Sequence, residues 1–182
     1  MRTFTFRTSI ITVTLLAGSA VGVMAQTEEA TTSDPMAPSY FTGTVTQNGA
    51  DLAEGTWTEV EGGFEGRGFS YGPRVLESTD PRFSGELFST WNTNAFELAD
   101  QTFGVQSAVF EIIAEDGAWV GPTTDIFVVD LFDIDTAILA GQGAYEGLTA
   151  NVHFTWSADP PTVQGIIIPG EMPPQPEPVV TQ

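Results

Sequence analysis

Leu148-Thr149-Ala150-Asn151-Val152-His153-Phe154-Thr155-Trp156-Ser157 is the stretch that decides the fold. Leu148, Ala150, Val152, Phe154 and Trp156 fall on one side of an extended backbone, and Thr149, Asn151, His153, Thr155 and Ser157 on the other. Successive side chains of extended chain point to opposite faces, so this strict alternation marks a strand with one face against a core.

Working outward, residues 40–46, 55–60, 64–70, 74–78, 83–91, 103–114, 119–131, 136–141 and 162–168 are rich in Val, Ile, Thr, Phe and Trp and read as further strands. Asn48-Gly49, Gly62-Gly63, Gly72-Pro73, Asp80-Pro81, Asp116-Gly117 and Asp159-Pro160-Pro161 separate most of them. Asp116-Gly117, between two long apolar runs, is expected to form a type I′ hairpin turn. Gly121-Pro122 points to a bulge or a sheet edge. Residues 126–131 are apolar almost without a break, as in a strand buried on both faces. A helix over residues 126–140 is the alternative there, and the β-branched content opposes it. Eight to ten strands with short links make the chain all-β. A single antiparallel small β-barrel of meander type is expected ahead of a β-sandwich, because closure leaves no unpaired edge.

The flanks read differently. Residues 1–25, with Arg2 and Arg7 before a short apolar run and Val23-Met24-Ala25 at its end, have the pattern of a secretory signal peptide. The run is shorter than a bilayer span and is broken by Thr, Gly and Ser. Residues 26–39 read as a disordered leader, 40–168 as the barrel domain and 169–182 as a Pro-rich disordered tail. An extracellular location is expected, with the periplasm as the alternative. The chain contains no Cys, so neither a lipid anchor on Cys nor a disulfide contributes. Twenty-four acidic residues, all beyond Ala25, face five basic ones, for a formal charge of −19. Such a field disfavours nucleic acid and favours cations and basic partners. No segment after the leader is expected to span a membrane, and nothing in the residues indicates the oligomeric state.

Gly141-Gln142-Gly143-Ala144-Tyr145-Glu146-Gly147-Leu148 resembles a glycine-rich hairpin of allene oxide cyclase-like and dirigent-like barrels. With Ser78-Thr79-Asp80-Pro81-Arg82-Phe83-Ser84-Gly85 it also resembles a set of uncharacterised secreted bacterial proteins. The resemblance implies a small barrel. Those families include cyclases and proteins that orient phenoxy radicals, but none of their functional residues is matched, so it implies no particular activity.

Several groupings bear on chemistry. Gly68-Phe69-Ser70-Tyr71-Gly72 fits a nucleophile elbow, with Asp125 to Asp135 and His153 following in hydrolase order. That motif requires a strand, a strained turn and a helix, and Pro73 opens another extended stretch instead. Gly141, Gly143 and Gly147 miss the dinucleotide spacing by one position. Asp130, Asp133 and Asp135 offer hard oxygen ligands suited to Ca²⁺, without the spacing of an EF-hand. In a strand, Asp133 and Asp135 share a face and Asp130 opposes them. His153, the only histidine, lies mid-strand beside Asn151 and faces either lumen or solvent. If it faces the lumen, the two can orient a small ligand. Trp57, Trp91, Trp119, Trp156 and Tyr145 are either core or an aromatic platform. The first functional expectation is a module binding a small apolar or aromatic molecule. The others are a non-catalytic structural or interaction protein of the cell exterior, and a cyclase or isomerase by fold analogy alone.

Overall fold

The computed structural model describes residues 34–46 and 49–171. The expected signal peptide, most of the expected leader and nearly all of the expected tail lie outside them. Within them the chain is all-β. The strands are β1 (Ser39–Val45), β2 (Ala50–Val60), β3 (Gly63–Ser78), β4 (Gly85–Leu98), β5 (Gln101–Ile113), β6 (Gly117–Val128), β7 (Phe132–Gly143), β8 (Leu148–Thr155) and β9 (Thr162–Pro169). A single 3-10 turn, Pro81–Phe83, links β3 to β4.

All nine strands form one antiparallel sheet in the order β1-β9-β8-β7-β6-β5-β4-β3-β2, and β1 also pairs with β3. That last pairing closes the sheet on itself. β1 meets β3 at Gly43↔Ser78 to Val45↔Leu76, and β2 continues along the same edge from Ala50↔Gly72 to Val60↔Gly63. The two are successive halves of one barrel strand. The first half is held by both β9 and β3, the second by β3 alone. The result is a meander barrel, closed at one end and slit at the other. Its single-chain ladders leave few backbone groups unpaired, so no disulfide is needed to hold the ends together.

The alternation of β8 is as expected: Leu148, Ala150, Val152 and Phe154 are buried inside. Other local expectations give way. Residues 64–70 and 74–78 are one strand, β3, carrying an irregularity between Gly66 and Phe69 and another between Tyr71 and Arg74. Each puts one extra residue on β3, which bends the strand and re-aims its side chains. Gly68, at φ +74, sits in the first. The turn before Gly117 is a hairpin, but its central residues are Glu115 and Asp116, closed by Ala114 N–H to Gly117 C=O at 2.9 Å. Neither has a positive φ, so it is not type I′. The type I′ geometry occurs instead at Ala99 and Asp100, at φ +49 and +66, between the paired Leu98 and Gln101. β6 runs through Gly121-Pro122 with no register change, pairing with β5 throughout. Nor is 126–131 buried on both faces: Ile126, Val129 and Leu131 are exposed on the outside. There is no helix over residues 126–140; they belong to β6, a turn and β7. No helix among the described residues is long and apolar enough to cross a membrane, which does not bear on strands.

The lumen is divided. Toward the end that carries the 3-10 turn and the β5–β6 and β7–β8 turns it is filled by Phe41, Phe83, Trp119, Tyr145, Leu139 and Ile112. Phe41 stacks on Phe83 at 4.3 Å between ring centroids, and Trp119 on Tyr145 at 5.3 Å. The Trp119 Nε1–H donates to the Arg82 carbonyl at 2.7 Å, giving a fully buried indole its partner. Asp80 caps the 3-10 turn and accepts from Ser39 Oγ and from Arg82 Nη2 at 2.7 Å. Arg82 in turn donates to the Pro35 and Ala37 carbonyls, pinning residues 35–37 across this end. Residues 78–85 and 141–148 thus contribute Asp80, Arg82, Phe83 and Tyr145 to this closed end.

Candidate functional site

The other half of the lumen is open. A cavity of about 280 Å³ lies there, walled by Trp57, Trp91, Phe110, Phe127 and Trp156 and floored by Arg74, Asp125, Asp133 and Asp135, with Ser89 and Gln106 among its polar edges. Strand parity explains the acids. Trp119, Thr123 and Asp125 are buried on one face of β6, and Asp135, Ala137 and Leu139 on one face of β7. Asp125 is the cross-strand partner of both Gln106 and Asp135, so these three form a row across β5, β6 and β7. Asp133 is two residues from Asp135, in the next row toward the mouth.

The aromatic wall has two parts. Phe69 and Trp91 stack at 4.1 Å with planes 9° apart, and Trp57 leans on Phe69 at 5.1 Å. Opposite, Trp156 stacks on Phe154 at 5.4 Å, and Phe110 meets Phe154 edge-on at 5.3 Å. Trp57, on the half-strand that leaves the ring, is 54% exposed and stands at the slit. Gly104 makes room for the Phe127 ring, since a Cβ there would come within 2.3 Å of it.

The polar floor holds its charges under constraint. Asp135, 1% exposed, accepts from Thr123 Oγ1 at 2.6 Å and from Trp156 Nε1 at 2.7 Å. Burial still pushes its carboxyl up, against those hydrogen bonds and the nearby Arg74 charge. Asp125, 3% exposed, is pushed up to about 8, first by burial and then by the charges of Asp133 and Asp135. Asp133 is raised as well, chiefly by burial. With both ionised, Asp125 Oδ1 and Asp133 Oδ1 are buried without a donor; a proton on Asp125 supplies the bond between the two carboxyls. Arg74 donates through Nη1 to Ser89 Oγ at 3.2 Å, and its guanidinium lies 4.2 Å from the Tyr71 ring centre and 5.0 Å from that of Trp156. Its buried Nε–H has no acceptor. Burial lowers its pKa, but a guanidinium stays charged at any ordinary pH.

Of the residues singled out by sequence, Trp57, Trp91, Trp156, Asp133 and Asp135 meet here. Trp119 and Tyr145 are core residues of the plug. His153 and Asn151 point out of the barrel, into a shallow external groove with Tyr40, Gln164 and Ile166, so they do not reach the lumen. Asp130, at φ +63, is exposed in the β6–β7 turn, which splits the acidic trio expected for Ca²⁺. No group of three His, Cys, Asp or Glu side chains among the described residues is arranged to hold a metal ion. Ser70 is mid-strand, its hydroxyl accepting from Thr90 at 3.4 Å, so the elbow motif is incidental. Arg74, Asp125 and Gln106 were not read as belonging to this site. Parity from Trp119 along β6 would have placed Asp125 inside, as parity along β8 did for Trp156. Arg74 needed the β3 irregularities, which no local pattern announces.

Comparison of the chain with family models, with curated proteins and with solved structures finds no match.

Proposed function

We propose that the protein is a binding module that holds a small ring-bearing molecule in the mouth of its barrel. One observation carries this reading: the lumen is packed solid at one end and hollow at the other, and the hollow joins aromatic walls to a few convergent polar groups. That combination is the usual make-up of a ligand pocket. A purely structural barrel would have its lumen filled by side chains throughout. The volume, about 280 Å³, equals roughly nine waters of liquid, which limits the occupant to one ring with a short substituent. The rings supply apolar and stacking area, and Arg74 with the carboxyls supplies orientation.

Native mass spectrometry of the full chain purified from its own host tests this. The wild type is expected to carry a small adduct, and the cavity-filling variant Gln106→Trp to lack it. An adduct retained equally by Gln106→Trp would place the ligand elsewhere. A wild type that carries no adduct and binds no small ring compound would end the reading.

A further inference from the structure

We propose that the occupant is a small organic cation, a ring bearing a primary ammonium on a short chain, with the ammonium among Asp125, Asp133 and Asp135 and the ring between Trp57, Trp91 and Phe127. This rests on the binding reading above and adds the chemical class of the ligand.

The cavity floor has three carboxyls and one guanidinium. The guanidinium donates one bond to Ser89, lies over the Tyr71 and Trp156 rings, and keeps one unpaired donor at Nε. Unpaired acceptors outnumber unpaired donors on this floor, two carboxyl oxygens against the single Arg74 Nε–H. Asp125, 97% buried, has an oxygen with no donor from the chain, and so does Asp133 beside it. In the empty site a proton fills that gap. An ammonium fills it more completely, because it carries three donors and no acceptor. A neutral alcohol brings one donor only, and a carboxylate or phosphate brings like charge onto a buried acidic floor. The walls suit the other end of the molecule: Trp57, Trp91 and Phe127 give its ring apolar surfaces to pack against. The net negative charge of the chain also raises the concentration of cations near it.

Ammonium and proton compete for the same two carboxyls. Amine binding therefore expels the proton shared by Asp125 and Asp133, and affinity rises as pH climbs toward Asp125's value of about 8. A zwitterion fits less well than a simple amine, since its carboxylate returns the charge that its ammonium removes.

Isothermal titration of the full chain with 2-phenylethylamine, 2-phenylethanol, 3-phenylpropanoate and phenylalanine tests the proposal. The amine is expected to bind at least about tenfold more tightly than the alcohol, with weak or no binding of the other two. Buffers of different ionisation heat should report proton release with the amine. Asp125→Asn, which mimics the protonated carboxyl, should abolish that release; Asp133→Asn serves as a second variant if the first melts without cooperativity. Alcohol or anion binding as tightly as the amine would overturn the cation assignment and leave the binding module standing. A host-derived adduct combined with no amine binding would do the same. Absence of both adduct and probe binding would remove the binding reading beneath it.

Discussion

Asp125 concentrates the residue-scale physics of this protein. A carboxyl on a strand's inward face, between two others, is held protonated at neutral pH because burial and two neighbouring charges disfavour its anion. Its folded value of about 8 lies above its unfolded value, so the folded state binds the extra proton. The stability this contributes is fully present below about pH 4 and is lost as pH rises toward 8. The raised values of Asp133 and Asp135 act in the same direction. Asp80, lowered by its bonds to Arg82 and Ser39, acts oppositely, but only in strong acid. The wild type should therefore melt at a lower temperature at pH 8.5 than at pH 5.5. Asp125→Asn should flatten that slope and gain on the order of a few kcal/mol at pH 8.5 relative to wild type. Thermal melts across that range check this, and a variant with the unchanged wild-type slope would show that Asp125 is ionised in the fold.

Among the elements, β3 does most to shape the site. Its two irregularities bend it so that Gly66, Phe69, Arg74 and Leu76 all reach the interior at spacings that a regular strand could not give. β2 follows it away from β9 and leaves an edge, which Asp51, Glu54, Glu59 and a Gly55 at φ +60 protect against pairing with another chain. The β4–β5 hairpin is less well made. Ala99 and Asp100 both take positive φ, where Asn-Gly is preferred. Ala99→Asn combined with Asp100→Gly should raise stability by about 1 kcal/mol, seen as a higher urea midpoint. A lower midpoint would mean that the turn gains something from these two side chains beyond its backbone.

At the scale of the whole molecule, closure of the sheet and the charge it carries oppose each other. The barrel gathers its apolar residues into one plugged core, while the chain as a whole carries 24 acids against five bases. Among the described residues few charges are neutralised locally: Arg82 pairs with Asp80 at 2.7 Å and Arg67 with Glu65 at 3.2 Å, the latter on the surface. Self-repulsion among the remaining carboxylates weakens the compact state and is screened by salt. Raising sodium chloride from 20 mM to 500 mM should lift the melting temperature by a few degrees, the shift that about 1 kcal/mol produces in a domain of this size. A melting temperature that is flat or falls with salt would show that the acids are spaced widely enough not to interact.

The all-β class, the meander order, the inward face of β8 and the lack of any covalent staple follow from the chain alone, because alternation, turn residues and composition are local properties. The place of each acid and each tryptophan does not. Asp133 and Asp135 stand out in the chain, yet their partner is Asp125 on the neighbouring strand rather than Asp130 nearby. His153 looks like a ligand residue and faces out; Trp119 looks like Trp91 and lies in the plug. Alternation tells which residues share a face, but only closure of the ring decides which face is the lumen. Register between strands then decides which carboxyls meet, and the β3 irregularities decide where Arg74 enters. These are long-range pairings, and no short window of sequence contains them.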